Sequence, residues 1–168
     1  MPLIVAWQGL IDRLERAGRW AGLLPLRWLL AWEYFEAGWT KFTGENWFAG
    51  IRQQFPWPFD LLPPALNWQL ATWAELLGGV LLFLGLATRP VVVVLMGLTL
   101  VATWAVHLPD AWPGLLALHE GYAIRDTGQG NFKLPLLFLV MFLPLLCFGP
   151  GRLSLDAWLM ARLARSGR

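Results

Sequence analysis

NWQLATWAELLGGVLLFLGLATRPVVVVLMGLTLVATWAVH, residues 67–107, decides the fold of this chain. It holds two apolar runs, 67–86 and 91–107, separated only by Ala87, Thr88, Arg89 and Pro90. Proline is tolerated at the start of a helix but not within one, so position 90 closes the link. A connection this short makes the two runs antiparallel neighbours. A hydrocarbon core of ~30 Å takes roughly 20 residues at ~1.5 Å each, and both runs come close to that length. They read as two consecutive membrane spans.

Similar runs lie on either side, at 23–42 and at 132–148, the latter ending on the breaker Gly149-Pro150-Gly151 and expected to kink at Pro135 and Pro144. Between the first two spans, TGENWFAGIRQQFPWPFDLLPP at 43–64 is rich in Pro and aromatic residues and suits the headgroup region. Before the first span, Leu3, Trp7, Leu10, Ile11 and Leu14 share one helical face while Asp12, Arg13, Glu15, Arg16 and Arg19 take others. A surface helix over 3–19 follows. Its apolar part precedes its charges, the reverse of a cleavable signal, so it is expected to be retained. A second surface helix is expected at 154–165, capped by Ser154, with Asp156 near its start. The expected fold is a single all-α domain over 1–168, a four-helix transmembrane bundle with amphipathic interfacial helices at both termini.

Composition agrees with a lipid bilayer as first partner. Apolar residues make up 57% and charged residues 14%, against roughly 45–50% and about 25% in soluble domains. Net charge is only +2, and no basic run alternates with aromatic residues, which argues against nucleic acid. With four spans, Arg13, Arg16, Arg19, Arg27, Arg89, Arg152, Arg162, Arg165 and Arg168 fall on one side, and Lys41, Arg52, Arg125 and Lys133 on the other. The positive-inside rule then makes both termini cytoplasmic in a bacterial inner membrane, with the two long loops periplasmic. The single cysteine, Cys147, allows neither an internal disulfide nor a CxxC motif and is expected to be inert packing. Gly78, Gly79 and Gly85 are expected to let helices approach.

Polar chemistry concentrates within the spans. Glu33 and Glu36 are helical neighbours, with Thr40 one turn further out. Counted inward from Phe42 and Asn67, Glu36, Glu75 and Glu33 lie at depths of roughly 9, 12 and 14 Å at ~1.5 Å per residue. An ionised carboxylate at such depth costs at least ~2.5 kcal/mol, so three imply pairing, protonation or a polar cavity. An outward-opening acidic cavity binding a cation or partner is one reading, and salt-bridged structural glue is the other. Thr99, Thr103 and His107 recur every four residues as a polar strip ending at the same surface. Lys41 and Lys133 are the candidate charge partners, with Glu36–Lys41 as one pairing, and His107 or His119 the candidate metal ligand.

RWLLAWEYFEAGWTKFTGENWF at 27–48 and TWAELLGGVLLFLGLATRPVVVVLMGLTLVATWAVH at 72–107 resemble the DoxX family, including Ala37, Gly38 and Lys41 at the end of the first span and the ELLGG and LGLATR elements. GENWFAGI, FPWPFDLLPP, NWQLATWAE, GYAIRDTG, FKLPLLFLVMFLPLL and GPGRLSLDAWL look more narrowly like the HvfX-type subgroup, encoded beside copper-associated peptide-maturation systems. That resemblance implies an accessory to a copper-stress or modified-peptide pathway, with a periplasmic modified peptide or redox partner and copper as candidate ligand. The subgroup often has a cysteine near GYAIRDTG, where this chain has Arg125 and Asp126 and none, which weakens thiol-based copper chemistry. Other DoxX relatives imply a membrane subunit of a thiosulfate:quinone-type oxidoreductase, with quinone as cofactor and Glu33, Glu36 or Glu75 carrying protons. A small proton-coupled transporter, acting as a homo-oligomer, is the remaining alternative.

Overall fold

The computed structural model of the chain describes residues 2–108, 122 and 131–166. His119, Arg125, Asp126 and Arg168 lie outside the described residues. Those described form six α-helices and no strand: α1 (Pro2–Ala21), α2 (Leu24–Thr43), α3 (Pro64–Leu84), α4 (Thr88–Ala102), α5 (Lys133–Phe148) and α6 (Leu155–Ser166). The runs expected at 23–42, 67–86, 91–107 and 132–148 fall on α2 to α5 with ends displaced by three residues or fewer, save that α4 itself stops at Ala102 and a π-helical turn, Thr103–His107, carries the third run to its end. By length and apolarity, however, only Thr88–His107 is a clear membrane-crossing helix among the described residues. α5 is apolar but has 16 residues, and α2 carries four charges, Arg27, Glu33, Glu36 and Lys41.

α2 packs on α3, α3 on α4, α4 on α5, and α5 returns to α2. The α2–α3 seam follows from a stripe of Arg27, Leu30, Ala31, Tyr34 and Gly38, buried at helical spacing on α2. Glycines set its closeness. A Cβ on Gly38 would stand 2.7 Å from the Leu76 backbone nitrogen, and one on Gly79 would stand 2.8 Å from the Ala31 carbonyl oxygen. Gly78, on the next face of α3, receives the Leu95 side chain of α4. Gly85 serves twice: a Cβ there would stand 2.6 Å from the Ser154 side chain and 2.7 Å from the Arg27 guanidinium, and it ends α3 in the left-handed region (φ 67°), while the Leu86 N–H bonds back to Leu81.

Side chains from distant segments lock the end that carries the α3–α4 turn. Ala87 is also left-handed (φ 49°). Asp156 of α6 holds it there, accepting from the N–H groups of Ala87 at 2.8 Å and Thr88 at 3.0 Å. Ser154 accepts from the Ala157 N–H as the expected cap of α6. Arg27 is 2% exposed and donates to the carbonyls of Pro150 and Leu153. It is an internal pin, not merely a topology-setting surface charge. Arg89 donates to the carbonyls of Leu146 and Cys147 at the end of α5. Cys147 itself is exposed and is no packing residue.

At the other end, the expected interfacial loop folds into 3-10 turns at Phe48–Gln54 and Phe59–Leu61. Phe48, Phe55, Trp68 and Ala105 form a second apolar cluster there. Pro135 sits in the first turn of α5, where no i−4 bond is lost, and Pro144 lies inside a helix that continues through it. The outer faces of the bundle are apolar as well: Trp28, Trp32 and Trp39 of α2, Trp73 and Leu77 of α3, Val93 of α4 and Val140 of α5 are all exposed.

Candidate functional site

The Gly38 seam brings the last turn of α2 against the middle of α3, and there Lys41 meets Glu75. Lys41 Nζ donates to Glu75 Oε2 at 2.7 Å and to Oε1 at 3.0 Å. The Glu75 side chain is 5% exposed and that of Lys41 17%, so little water screens the pair. Each charge supplies the counterion the other needs away from water.

Beside this pair, a cavity of about 610 Å³ opens between α3, α4 and the 48–61 loop. Among the described residues, four polar side chains reach it, Lys41, Asn67, Glu75 and His107, and the rest of the described lining is aliphatic, aromatic or glycine. Asn67 follows Pro63 and Pro64 in the first turn of α3 and donates from Nδ2 to the Phe59 carbonyl at 2.8 Å. A carbonyl only accepts, so Oδ1 is the remaining atom, and it is buried without a partner among the described residues. His107 ends a π-helical turn, Thr103–His107, which continues α4 and is closed by the Leu108 N–H on the Thr103 carbonyl. Its ring is hydrogen-bonded to the backbone of Asn131.

The residues singled out from sequence divide into two places. Glu33, Glu36 and Thr40 line a shallow depression of about 320 Å³ with Lys41 and Trp47. Glu36 and Thr40 are exposed and Glu33 half-buried. They fall outside the buried stripe of α2, so rotation of that helix turns them away from Glu75. The three carboxyls do not share one cavity, and Lys41, which reaches both places, pairs with Glu75 and not with Glu36. Lys133 lies over the Tyr122 ring, 4.9 Å from its centroid, and pairs with no carboxylate among the described residues. Thr103 donates to the Thr99 carbonyl of its own helix. Of the expected threonine–histidine strip, only His107 reaches the cavity.

Sequence reasoning passed over Asn67 and Tyr34. The Tyr34 hydroxyl bonds Thr99 Oγ1 in the core. Thr99 already donates to the Leu95 carbonyl at 2.6 Å, so the phenol is the donor, and α2 is tied to α4. The signal for Tyr34 was its place in the stripe of 27, 30, 31 and 38. For Asn67 it was an amide at a helix start behind two prolines. Among the described residues, no three His, Cys, Asp or Glu side chains gather as metal ligands.

Residues 22–108, just over half of the chain, match the profile of the DoxX family. The chain belongs to the DoxX family. The matched region contains α2, α3, α4 and the intervening loop, and with them Lys41, Asn67, Glu75 and His107. An uncharacterised protein of Haemophilus influenzae is 40% identical to this DoxX chain over 144 residues, covering 86% of the chain and 87% of the relative. No solved structure matches it. DoxX proteins are membrane-associated, which agrees with the apolar Thr88–His107 helix.

Proposed function

We propose that this DoxX protein is a multi-pass inner-membrane protein that binds an amphipathic ring ligand of the isoprenoid-quinone type beside Lys41 and Glu75. The lining of the cavity carries the reading: an apolar enclosure with a few convergent polar groups is the usual form of a small-molecule site. Lys41 Nζ suits a carbonyl oxygen of a quinone, and Asn67 Oδ1 suits a quinol hydroxyl. Glu75 and His107 are the groups able to exchange protons with such a head. The wall favours this ligand over a bare cation, since Glu75, the one carboxylate among the described lining residues, already has Lys41 as partner. Copper finds one imidazole there and no thiolate or thioether among the described lining residues. An accessory place in a copper-stress or modified-peptide pathway rests instead on the subgroup resemblance of the quoted segments.

Crossing of the membrane by all four helices α2 to α5 is supported by their apolar outer faces, which in water would be a large unpartnered surface. Cytoplasmic termini are supported by the division of basic residues, nine against four.

The test is the quinone and metal content of the detergent-purified full chain. Wild type is expected to carry quinone. Glu75→Gln and Gly97→Leu are each expected to lower it at least about tenfold, an order of magnitude per ~1.4 kcal/mol, and Cys147→Ser to leave it unchanged. Gly97 lines the cavity, and a Cβ there meets nothing within 4 Å. The leucine therefore starts in open space at the cavity wall and takes up ligand volume. Quinone-free wild type, or full occupancy in Gly97→Leu, would overturn the reading.

A further inference from the structure

The opposite end of the bundle holds a larger cleft, about 1060 Å³, framed by α1, the start of α4, the end of α5 and the start of α6. Three guanidinium groups line it, those of Arg19, Arg89 and Arg152, beside the apolar side chains of Trp20, Phe148 and Met160. Two carboxylates also line it, and both are engaged. Asp156 accepts from the N–H groups of Ala87 and Thr88, and Glu15 pairs with Arg19 at 3.7 Å.

The arginines keep donors to spare. Arg89 uses Nε and Nη2 on carbonyls of α5, and its Nη1 has no partner among the described residues. The Arg152 guanidinium stacks over Trp20, 5.1 Å from the ring centroid, a contact that leaves its in-plane N–H groups open. Phe148 is 77% exposed and Met160 67%, large apolar groups standing beside these cations.

We infer that this cleft binds the headgroup region of an anionic phospholipid. Guanidinium forks match phosphate oxygens, and the neighbouring apolar side chains match the glycerol and first methylenes. A free phosphate would use the arginines and leave the exposed Phe148 and Met160 without a role. The cleft lies where the apolar exterior of the bundle gives way to α1 and α6, both of which carry arginines beside apolar residues. Basic pockets at the cytoplasmic face are the usual seats of acidic lipid heads. The inference rests on the membrane placement proposed above, and not on the quinone-type cavity at the far end.

The test is native mass spectrometry of the detergent-purified full chain titrated with phosphatidylglycerol, phosphatidylcholine or inorganic phosphate. Phosphatidylglycerol is expected to be retained at least about fivefold better than phosphatidylcholine, whose choline ammonium offsets its phosphate charge, on the order of one basic side chain's attraction for a net anionic headgroup, and to resist millimolar phosphate. The double variant Arg19→Gln/Arg152→Gln is expected to lose about thirtyfold of that affinity, two charges' worth at the membrane surface. Arg13→Gln/Arg162→Gln removes the same charge outside the cleft and is expected to retain the lipid. Equal retention of the two lipids, equal losses in both double variants, or displacement by phosphate alone would overturn the inference. Glu75→Gln is expected to leave lipid retention intact, so this site and the quinone-type site fail separately.

Discussion

Glu75 sits in an apolar wall with Lys41 at 2.7 Å, and each makes the other tolerable. Removing one partner strands a charge, whereas replacing both need not. Glu75→Leu is therefore expected to destabilise the protein by about 3 kcal/mol. Lys41→Met/Glu75→Leu is expected to recover most of that loss, as read by thermal unfolding in detergent. An equal loss in the single and double variants would show that the pair contributes nothing beyond packing. Both residues stood out in the sequence, one as an acid within the second expected span and the other as a cation at the outer end of the first. Their pairing did not, because Glu36 lies nearer to Lys41 along the chain. What decides it is the rotation of α2, fixed by the small residues Ala31 and Gly38, which carry no charge to attract notice. Asn67 was hidden for a related reason: its exceptional feature is an unused acceptor atom, which no residue type announces.

Among the elements, α2 and α3 depend most on the absence of side-chain atoms. A Cβ at Gly79 would press on the backbone of Ala31 and Phe35, and backbone cannot swing aside as a flexible side chain can. Gly79→Val is expected to cost about 2–3 kcal/mol. Gly97→Ala, in open space, is expected to be neutral or to stabilise α4 by up to about 1 kcal/mol. Parallel melting curves check both. Asp156→Ala removes the acceptor for two N–H groups at the start of α4, with an expected loss of about 1–2 kcal/mol. Restoration by Asp156→Asn, which keeps one acceptor oxygen, would distinguish capping from packing. The helices themselves were legible, since apolar runs, Pro90 and Gly149-Pro150-Gly151 mark their limits. The 43–64 loop was legible only as aromatic and Pro-rich. Phe48 and Phe55 suit a headgroup layer and a packed cluster equally well, and only their meeting with Trp68 and Ala105 separates the two.

At the scale of the whole molecule, polar chemistry is divided between two ends with an apolar belt between them. Positions for reporting on their sidedness are built in, because side chains added at Gly18 of α1 and Gly50 of the loop meet nothing within 4 Å. In a Cys147→Ser background, Gly50→Cys is expected to react with a membrane-impermeant maleimide in intact spheroplasts, and Gly18→Cys only after permeabilisation. The opposite pattern would invert the topology drawn from the basic residues. Sequence reached this division through the count of arginines, yet treated Arg27 as one charge among nine. In the folded chain Arg27 bonds a carbonyl 126 residues further on, and that separation bears on biosynthesis. A ribosome adding about 5–20 residues per second needs on the order of ten seconds to make that stretch. Throughout that interval α2 carries a guanidinium whose acceptors on Pro150 and Leu153 do not yet exist, so the end of the bundle that carries the α3–α4 turn closes only as the last helix is made.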